Sequence, residues 1–336
     1  MKLSSPPTRW ALTSVVAAAM KYGPTRVSRI AYELDMPVET CRYYLKRFYK
    51  AGFRFLPVVD YRALGLSPHV AFIRFSKQID GKKRENFLRW LDSVYVVYRA
   101  SLNQEREYML EVVPPEGDGK TYERILSFLQ DAGVFENYQL HNIVDGYYQP
   151  TWLAMYDFTR EGWADKIEGV DVPKIPLSVN KGTVKFDKTD LLILKELEKE
   201  PTVKMNTISQ RYDVAPQLLS YHREKHVEGS RLITGFIPIG RNIQQSTKMT
   251  LLHYTTDNFE TDLFEDYLHS IRQANKCLLL RLHTPFSIII QQNYPRFEIS
   301  PSSVLLFTIP SEHYLQNEWT HLRVFEEQLE KLTKLA

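Results

Sequence analysis

Cysteine is nearly absent from this chain: Cys41 and Cys277 are the two in 336 residues. Two cysteines cannot build a disulfide framework or a cysteine-rich zinc site, and there is no Cys-x-x-Cys pair. Free, buried thiols in a reducing compartment are expected, and with them a cytoplasmic location. Glycine is scarce at 14 residues, so no long flexible tract is expected. Neither GxxxxGK[ST] nor GxGxxG occurs, which leaves nucleotide hydrolysis without support. No apolar run approaches the roughly 18–20 residues of a membrane span, so no membrane association is expected. The alanine-rich stretch near the N-terminus is broken by Thr13 and Ser14 and merges into a helical pattern, so it is not read as a signal peptide. What remains is ordinary for a folded soluble protein: 43% hydrophobic and 25% charged residues, in a chain long enough for two or more domains.

The net charge of +3 hides a division. Residues 1–60 carry ten Lys/Arg against four Asp/Glu, and residues 181–241 carry eleven against eight. The rest of the chain is acidic. Positive charge is therefore gathered in two segments, as contact with phosphates requires.

Those segments also resemble one another. VSRIAYELDMPVETCRYYLKRFYKAGFRFL (27–56) slides onto MNTISQRYDVAPQLLSYHREKHVEGSRLI (205–233) by 178 positions, placing Ile30 on Ile208, Asp35 on Asp213 and Tyr43 on Tyr221. Each reads as a short helix, a tight turn, a second helix ending at glycine and an apolar run, the outline of a winged helix-turn-helix. Thr8 can cap a preceding helix to about Tyr22, closed by Gly23-Pro24. Beyond the first unit, strand and helix patterns follow in the order β-α-β-β-α-β, which is ferredoxin-like. Residues 150–184 hold Pro150, Pro173 and Pro176 without periodicity and read as a connection. The order then restarts, with Asp187 near a helix cap, a helix over Pro216–Val227, strands at 249–256, 277–284, 286–294 and 304–310, and helices over 259–274 and 312–335. The expected fold class is α+β: winged helix-turn-helix domains at 1–62 and 185–243 alternate with ferredoxin-like domains at 63–149 and 244–336, by internal duplication.

A recognition helix hides one stripe and presents polar, cationic groups on the other. In the first unit Cys41, Leu45 and Phe48 make the hidden stripe. Thr40, Arg42, Tyr43, Lys46, Arg47 and Lys50 are left for double-stranded DNA, with Arg26 and Arg29 placed to grip backbone and Arg54 and Arg62 to assist from the wing. In the second unit Gln217, Ser220, Tyr221, Arg223 and Lys225 take that place, although Glu224 and Glu228 repel phosphate. The N-terminal unit is expected to dominate.

This order of domains, twice over, resembles two fused members of the leucine-responsive (Lrp/AsnC) regulator family, and FDKTDLLILKELEKEP (186–201) is similar to that family's opening helix. The resemblance implies a sequence-specific transcription regulator, not an enzyme, whose α+β domains pair in a homodimer or an intrachain pseudo-dimer. The family often binds an amino-acid effector through a Gly-Asp turn, but the corresponding turn here is NQERE (103–107), so no ligand is named. His222 and His226 sit four apart on one helix face, a spacing compatible with metal. No third ligand is evident beside them, and neither metal nor cofactor is expected. Two alternatives use the same architecture. One is a module that uses its winged domains for protein assembly. The other is the siroheme decarboxylase type, which resembles paired or fused Lrp-like units; here Arg99 and His141, or Arg281 and His283, are the candidate groups.

Overall fold

The computed structural model describes residues 8–91, 95–101, 106–117, 119–150, 153, 156–158, 162–163 and 171–240, together with the strands 248–253, 267–271, 277–282 and 304–308. It is an α+β protein. Helices α1 (Thr8–Tyr22), α2 (Val27–Glu33) and α3 (Val38–Lys50) lead into strand β1 (Phe53–Val59). Their counterparts are α6 (Lys188–Lys199), α7 (Met205–Tyr212), α8 (Pro216–His222) and β9 (Ile233–Gly240). Asp187 caps α6 as its position in the sequence predicts, and its side chain accepts from the backbone N–H groups of Thr189 and Asp190. Pro37 precedes α3 in an extended conformation, and Pro216 opens α8. Helix α8 differs from its counterpart α3: after His222 it widens into a π-helical turn over Arg223–Glu228.

The apolar run of each unit is a single strand, not a hairpin wing. β1 and β9 pair antiparallel with each other, from Phe53 opposite Gly240 to Val59 opposite Ile233. Equivalent strands that run antiparallel relate their two units by a local two-fold. A lone strand would leave its backbone donors and acceptors unmet, and its counterpart satisfies them.

The first α+β unit contains β2 (His69–Phe75), α4 (Gly81–Leu91), β3 (Val96–Ser101), β4 (Glu107–Val112), α5 (Gly119–Asp131) and β5 (Phe135–Tyr148). Its strands lie in the order β5-β2-β4-β3. Further along, the hairpin of β6 (Tyr156–Asp157) and β7 (Gly162–Trp163) precedes β8 (Ile175–Pro176), which pairs with the end of β5. The last strands are β10 (Lys248–His253), β11 (Tyr267–Ile271), β12 (Cys277–Leu282) and β13 (Val304–Thr308), in the order β13-β10-β12-β11. That is the same last-first-third-second arrangement, and β11 joins it to β5 of the first sheet.

One sequence expectation changes here. The helix expected over 259–274 is a strand at Tyr267–Ile271, because that segment is bonded on both sides, to β12 and to β5. Pairing of this kind overrides local pattern. The rest of that helix, the strand at 286–294 and the helix at 312–335 lie outside the described residues.

Among the described residues, buried side chains gather in three clusters. The first winged unit packs Leu12, Val16, Met20, Ile30, Leu45 and Phe48 together and takes in Leu153, Tyr156, Phe158, Val172 and Ile175 from the connecting segment. Phe48, Phe53, Tyr156 and Phe158 form an aromatic knot with ring centroids 5.0–5.9 Å apart. The second unit's core extends to Val59, Ala63, Leu66, Val97 and Val113 of the first half. The third cluster lies between the first sheet and α4 and α5. Among the described residues no helix is long and apolar enough to cross a membrane. Cys41 is a free, buried thiol whose pKa burial raises.

Candidate functional site

The amphipathic pattern of α3 buries Cys41, Tyr44, Leu45 and Phe48, and this fixes what faces out. Arg42, Tyr43, Lys46 and Lys50 are exposed, while Thr40, Arg47 and Arg54 are half-buried. Arg42 is ion-paired to Glu39 one turn earlier, both side chains being in solvent. On α2 the exposed Arg29 lies over the rings of Tyr22 and Tyr32, 5.3 and 5.9 Å from their centroids. This surface is basic and aromatic. Arg62 is not part of it, for its guanidinium donates to the carbonyl of Ile143.

The second unit presents a different surface. Gln217, Ser220, Tyr221 and Lys225 are exposed, and so is Glu224. Arg223 is turned aside: its Nε donates to Glu228 at 3.1 Å and its Nη2 to the Thr25 hydroxyl of the first unit at 3.0 Å. Arg26 reaches the same Glu228 from across the two-fold. Two of the arginines singled out for DNA are thus joined through one carboxylate at the contact between units. His222 and His226 face inward toward the start of α6.

The first sheet offers a second set of groups. Its helix side carries Ala71, Ile73, Leu110 and Val112. Arg99 is opposite Leu110 on that side and pairs with Glu85 of α4 at 3.7 Å. The other face carries Val70, flanked by Glu111 on β4 and His141 on β5. Arg99 and His141 are therefore on opposite faces, and the fold does not bring them together. Glu111 and His141 are both buried, and Phe72 meets the His141 ring edge-on at 6.1 Å. Arg281 is in β12 opposite Met249 and Tyr267, and His283 lies outside the described residues.

Tyr61 connects this face to the end of α6, since Glu111 and Glu198 both act on its hydroxyl. Burial pushes the Glu198 carboxyl well above its ordinary range, which the hydrogen bond from Tyr61 only partly opposes. Burial, and then the charge of Glu198, raises the Tyr61 hydroxyl, with Tyr148 and Glu111 adding to the effect. The second carboxyl oxygen of Glu198 is buried without a hydrogen-bond partner among the described residues. Perturbed groups of this kind concentrate at functional sites. Sequence reasoning missed this one, although a signal was present: Glu198 falls on the buried stripe of α6 with Leu191 and Leu194.

No family model and no curated sequence matches the chain. Solved structures do. The crystal structure of the siroheme decarboxylase NirDL aligns with 96% of this chain and 99% of its own, at a TM-score of 0.53 and 10% identity. Its complex with an iron-uroporphyrin III analogue aligns over the same shares at 0.52 and 10% identity. The AsnC structure from E. coli covers 40% of this chain and 90% of its own, at 0.31 and 16% identity, too loosely to argue from. At these identities the likeness is one of fold. The expectation of a chain with no enzymatic role is nonetheless overturned, because the fold that it follows nearly end to end is that of an enzyme.

Proposed function

We propose that this chain is a fused, Lrp-like enzyme acting on a carboxylate-bearing tetrapyrrole, with side-chain decarboxylation as its reaction. The observation that carries the reading is the alignment of nearly the whole chain with the siroheme decarboxylase fold, including its complex with an iron-uroporphyrin III analogue. Decarboxylation breaks the bond to a carboxylate and releases carbon dioxide, and the electron pair left on carbon must take up a proton. A site for it needs apolar walls for the macrocycle and a proton donor kept from bulk water. On the face of the first sheet opposite α4 and α5, Val70, Phe72 and Met109 supply apolar groups beside the buried His141, and the raised carboxyl of Glu198 lies near Tyr61. His141 is the donor that this reading assigns.

The test is anaerobic incubation of the purified protein with siroheme and with an iron-uroporphyrin, followed by absorbance in the Soret region and by mass analysis of the pigment. A shifted Soret band and loss of carbon dioxide from the pigment are expected. His141→Ala should keep the spectral shift and lose turnover. Neither binding nor mass change with either pigment would refute the reading.

A second reading is favoured by one specific feature. Arg29, Arg42, Tyr43, Lys46 and Lys50 remain exposed on the first winged unit, as contact with double-stranded DNA requires. Under this reading the N-terminal unit is the dominant reader, and the paired strands β1 and β9 fix its spacing from the second.

A further inference from the structure

Helix α6 opens with a capping box. Asp187 Oδ1 accepts from the N–H groups of Thr189 (2.8 Å) and Asp190 (3.2 Å), and Asp190 Oδ2 accepts from that of Asp187 (2.9 Å). In most helices such a box does no more than cap. Here Asp190 is completely buried, and two imidazoles turn their Nδ1 atoms onto it. His222 Nδ1 lies 2.9 Å from Asp190 Oδ1 and 3.5 Å from Asp187 Oδ1, and His226 Nδ1 lies 3.1 Å from Asp190 Oδ2. One donor atom from each of the four residues falls within 4.8 Å of all the others. Among the described residues no lysine or arginine is ion-paired to either aspartate, so the two carboxylates meet only imidazoles and the amides of the capping box.

The first winged unit serves as an internal control. The residues 178 positions before Asp190, His222 and His226 are Leu12, Tyr44 and Phe48. All three are buried in its apolar core. The architecture therefore closes at this point without carboxylate or imidazole, and it closes more cheaply, since buried charge costs stability unless something binds it. A polar set retained only in the second unit requires another cause.

We propose that Asp187, Asp190, His222 and His226 bind a divalent first-row transition ion of the zinc class. Imidazole and carboxylate are the donors such ions accept, at about 2.0–2.2 Å, which in a tetrahedral site sets donors roughly 3.3 Å apart. The 2.9 and 3.1 Å separations, which reach different oxygens of Asp190, and the 3.5 Å separation lie around that spacing, and the four donors together lie within 4.8 Å of one another. The ion takes the place of the two Nδ1 protons, while the α6 amides that already bond both carboxylates keep them oriented. It ties the start of α6 to the π-helical turn. It also fixes Tyr221, whose exposed ring packs edge-on against His222 and His226 with centroids 5.7 and 5.6 Å away.

The experiment uses the full chain, stripped with a chelator and then titrated with zinc against a chromophoric competitor, with bound metal counted by mass spectrometry. Stoichiometric uptake and a zinc-dependent rise in the thermal midpoint are expected. His226→Gln, at a partly exposed position, should weaken binding ~10-fold or more. The triple variant Asp190→Leu, His222→Tyr, His226→Phe, which installs the first unit's own residues, should fold by circular dichroism and take up no zinc at this site. If the triple variant fails to fold, His226→Gln alone decides. No uptake by the wild-type chain, or uptake undiminished in the folded variants and hence adventitious, overturns the proposal.

Discussion

Phe53 and Gly240 face one another at the end of the β1–β9 ribbon, and the Phe53 ring fills the space that a Cβ on residue 240 would need. The ring cannot retreat, because Phe48, Tyr156 and Phe158 hold it on its other sides. Gly240→Ala should therefore destabilise the protein by about 1–3 kcal/mol, the usual cost of forcing volume into a packed site. Urea unfolding measures this. Adding Phe53→Leu to Gly240→Ala should recover part of the loss, because the two residues share the space. A Gly240→Ala protein as stable as the wild type would show that the ribbon does not form.

Asp60 is completely buried where the two units and the connecting segment meet. Its carboxylate accepts from the N–H groups of Ala63 (3.2 Å), Val179 (2.9 Å) and Asn180 (3.1 Å) and from the Asn180 side chain (3.1 Å). Asn180 in turn donates to the Ser230 carbonyl of the second unit at 3.1 Å. Asp60→Ala leaves the buried N–H of Ala63 unmet, at about 1–3 kcal/mol, and frees the half-buried donors of Val179 and Asn180 at less. The expected result is loss of hydrogen-exchange protection at Val179 and Asn180 before the rest of the chain, as befits a locally opened segment. Uniform loss across the molecule would mean that Asp60 serves the global core instead.

Much of this fold was legible because its elements are marked locally. Asp35 and Asp213 are 178 positions apart and adopt the same left-handed backbone, with φ of 48° and 53°, so the turn inside each winged unit is written in the residue itself. The helix starts marked by Pro37, Asp187 and Pro216 are equally local. Features that depend on distant partners were not legible. Phe158 and Tyr156 belong to the first unit's core, yet they sit in a stretch too short and broken to show a period. The ribbon of β1 with β9 needs two segments some 180 residues apart. The polar groups were hidden for a related reason: Glu198 shares a helical stripe with Leu191 and Leu194, but nothing local shows that Asp190 is enclosed until α6 is seen to be buried on nearly every side.

The state of Glu198 makes a prediction with a definite sign. Its carboxyl titrates near 4.5 when unfolded and well above that when folded. Between those values the unfolded chain has released a proton that the native chain retains. The contribution is complete below the unfolded value and is lost as pH rises toward the folded one. Stability should thus decline with pH above about 4.5, by at most about 1.4 kcal/mol per pH unit from this group. Tyr61 contributes only at alkaline pH, since its hydroxyl is raised from an ordinary value of 10.0. Glu198→Gln keeps the Tyr61 hydrogen bond without the charge and should flatten that decline. Urea unfolding across pH 5–8 in both proteins checks this, and parallel curves would place Glu198 in water.

If the first winged unit also contacts DNA, the arginines that meet at Glu228 are held in reserve while the outer face of α3 does the binding. Arg42→Ala with Lys46→Ala should then lower affinity across sequences and reduce the salt slope by roughly two. Gln217→Ala with Ser220→Ala should change affinity less, and equal losses would end the claim that the N-terminal unit dominates. Glu228 supplies the sharper test, because it engages Arg26 and Arg223 at once. Glu228→Gln removes the charge that holds both guanidinium groups and one negative charge near the phosphates. It should strengthen DNA binding and steepen the salt dependence, as each freed arginine gains a phosphate contact. It should also loosen the contact between units slightly, since a half-exposed ion pair contributes at most about 1 kcal/mol. Unchanged DNA affinity in Glu228→Gln would mean that neither arginine reaches the duplex, and would confine contact to α2 and α3 of the first unit.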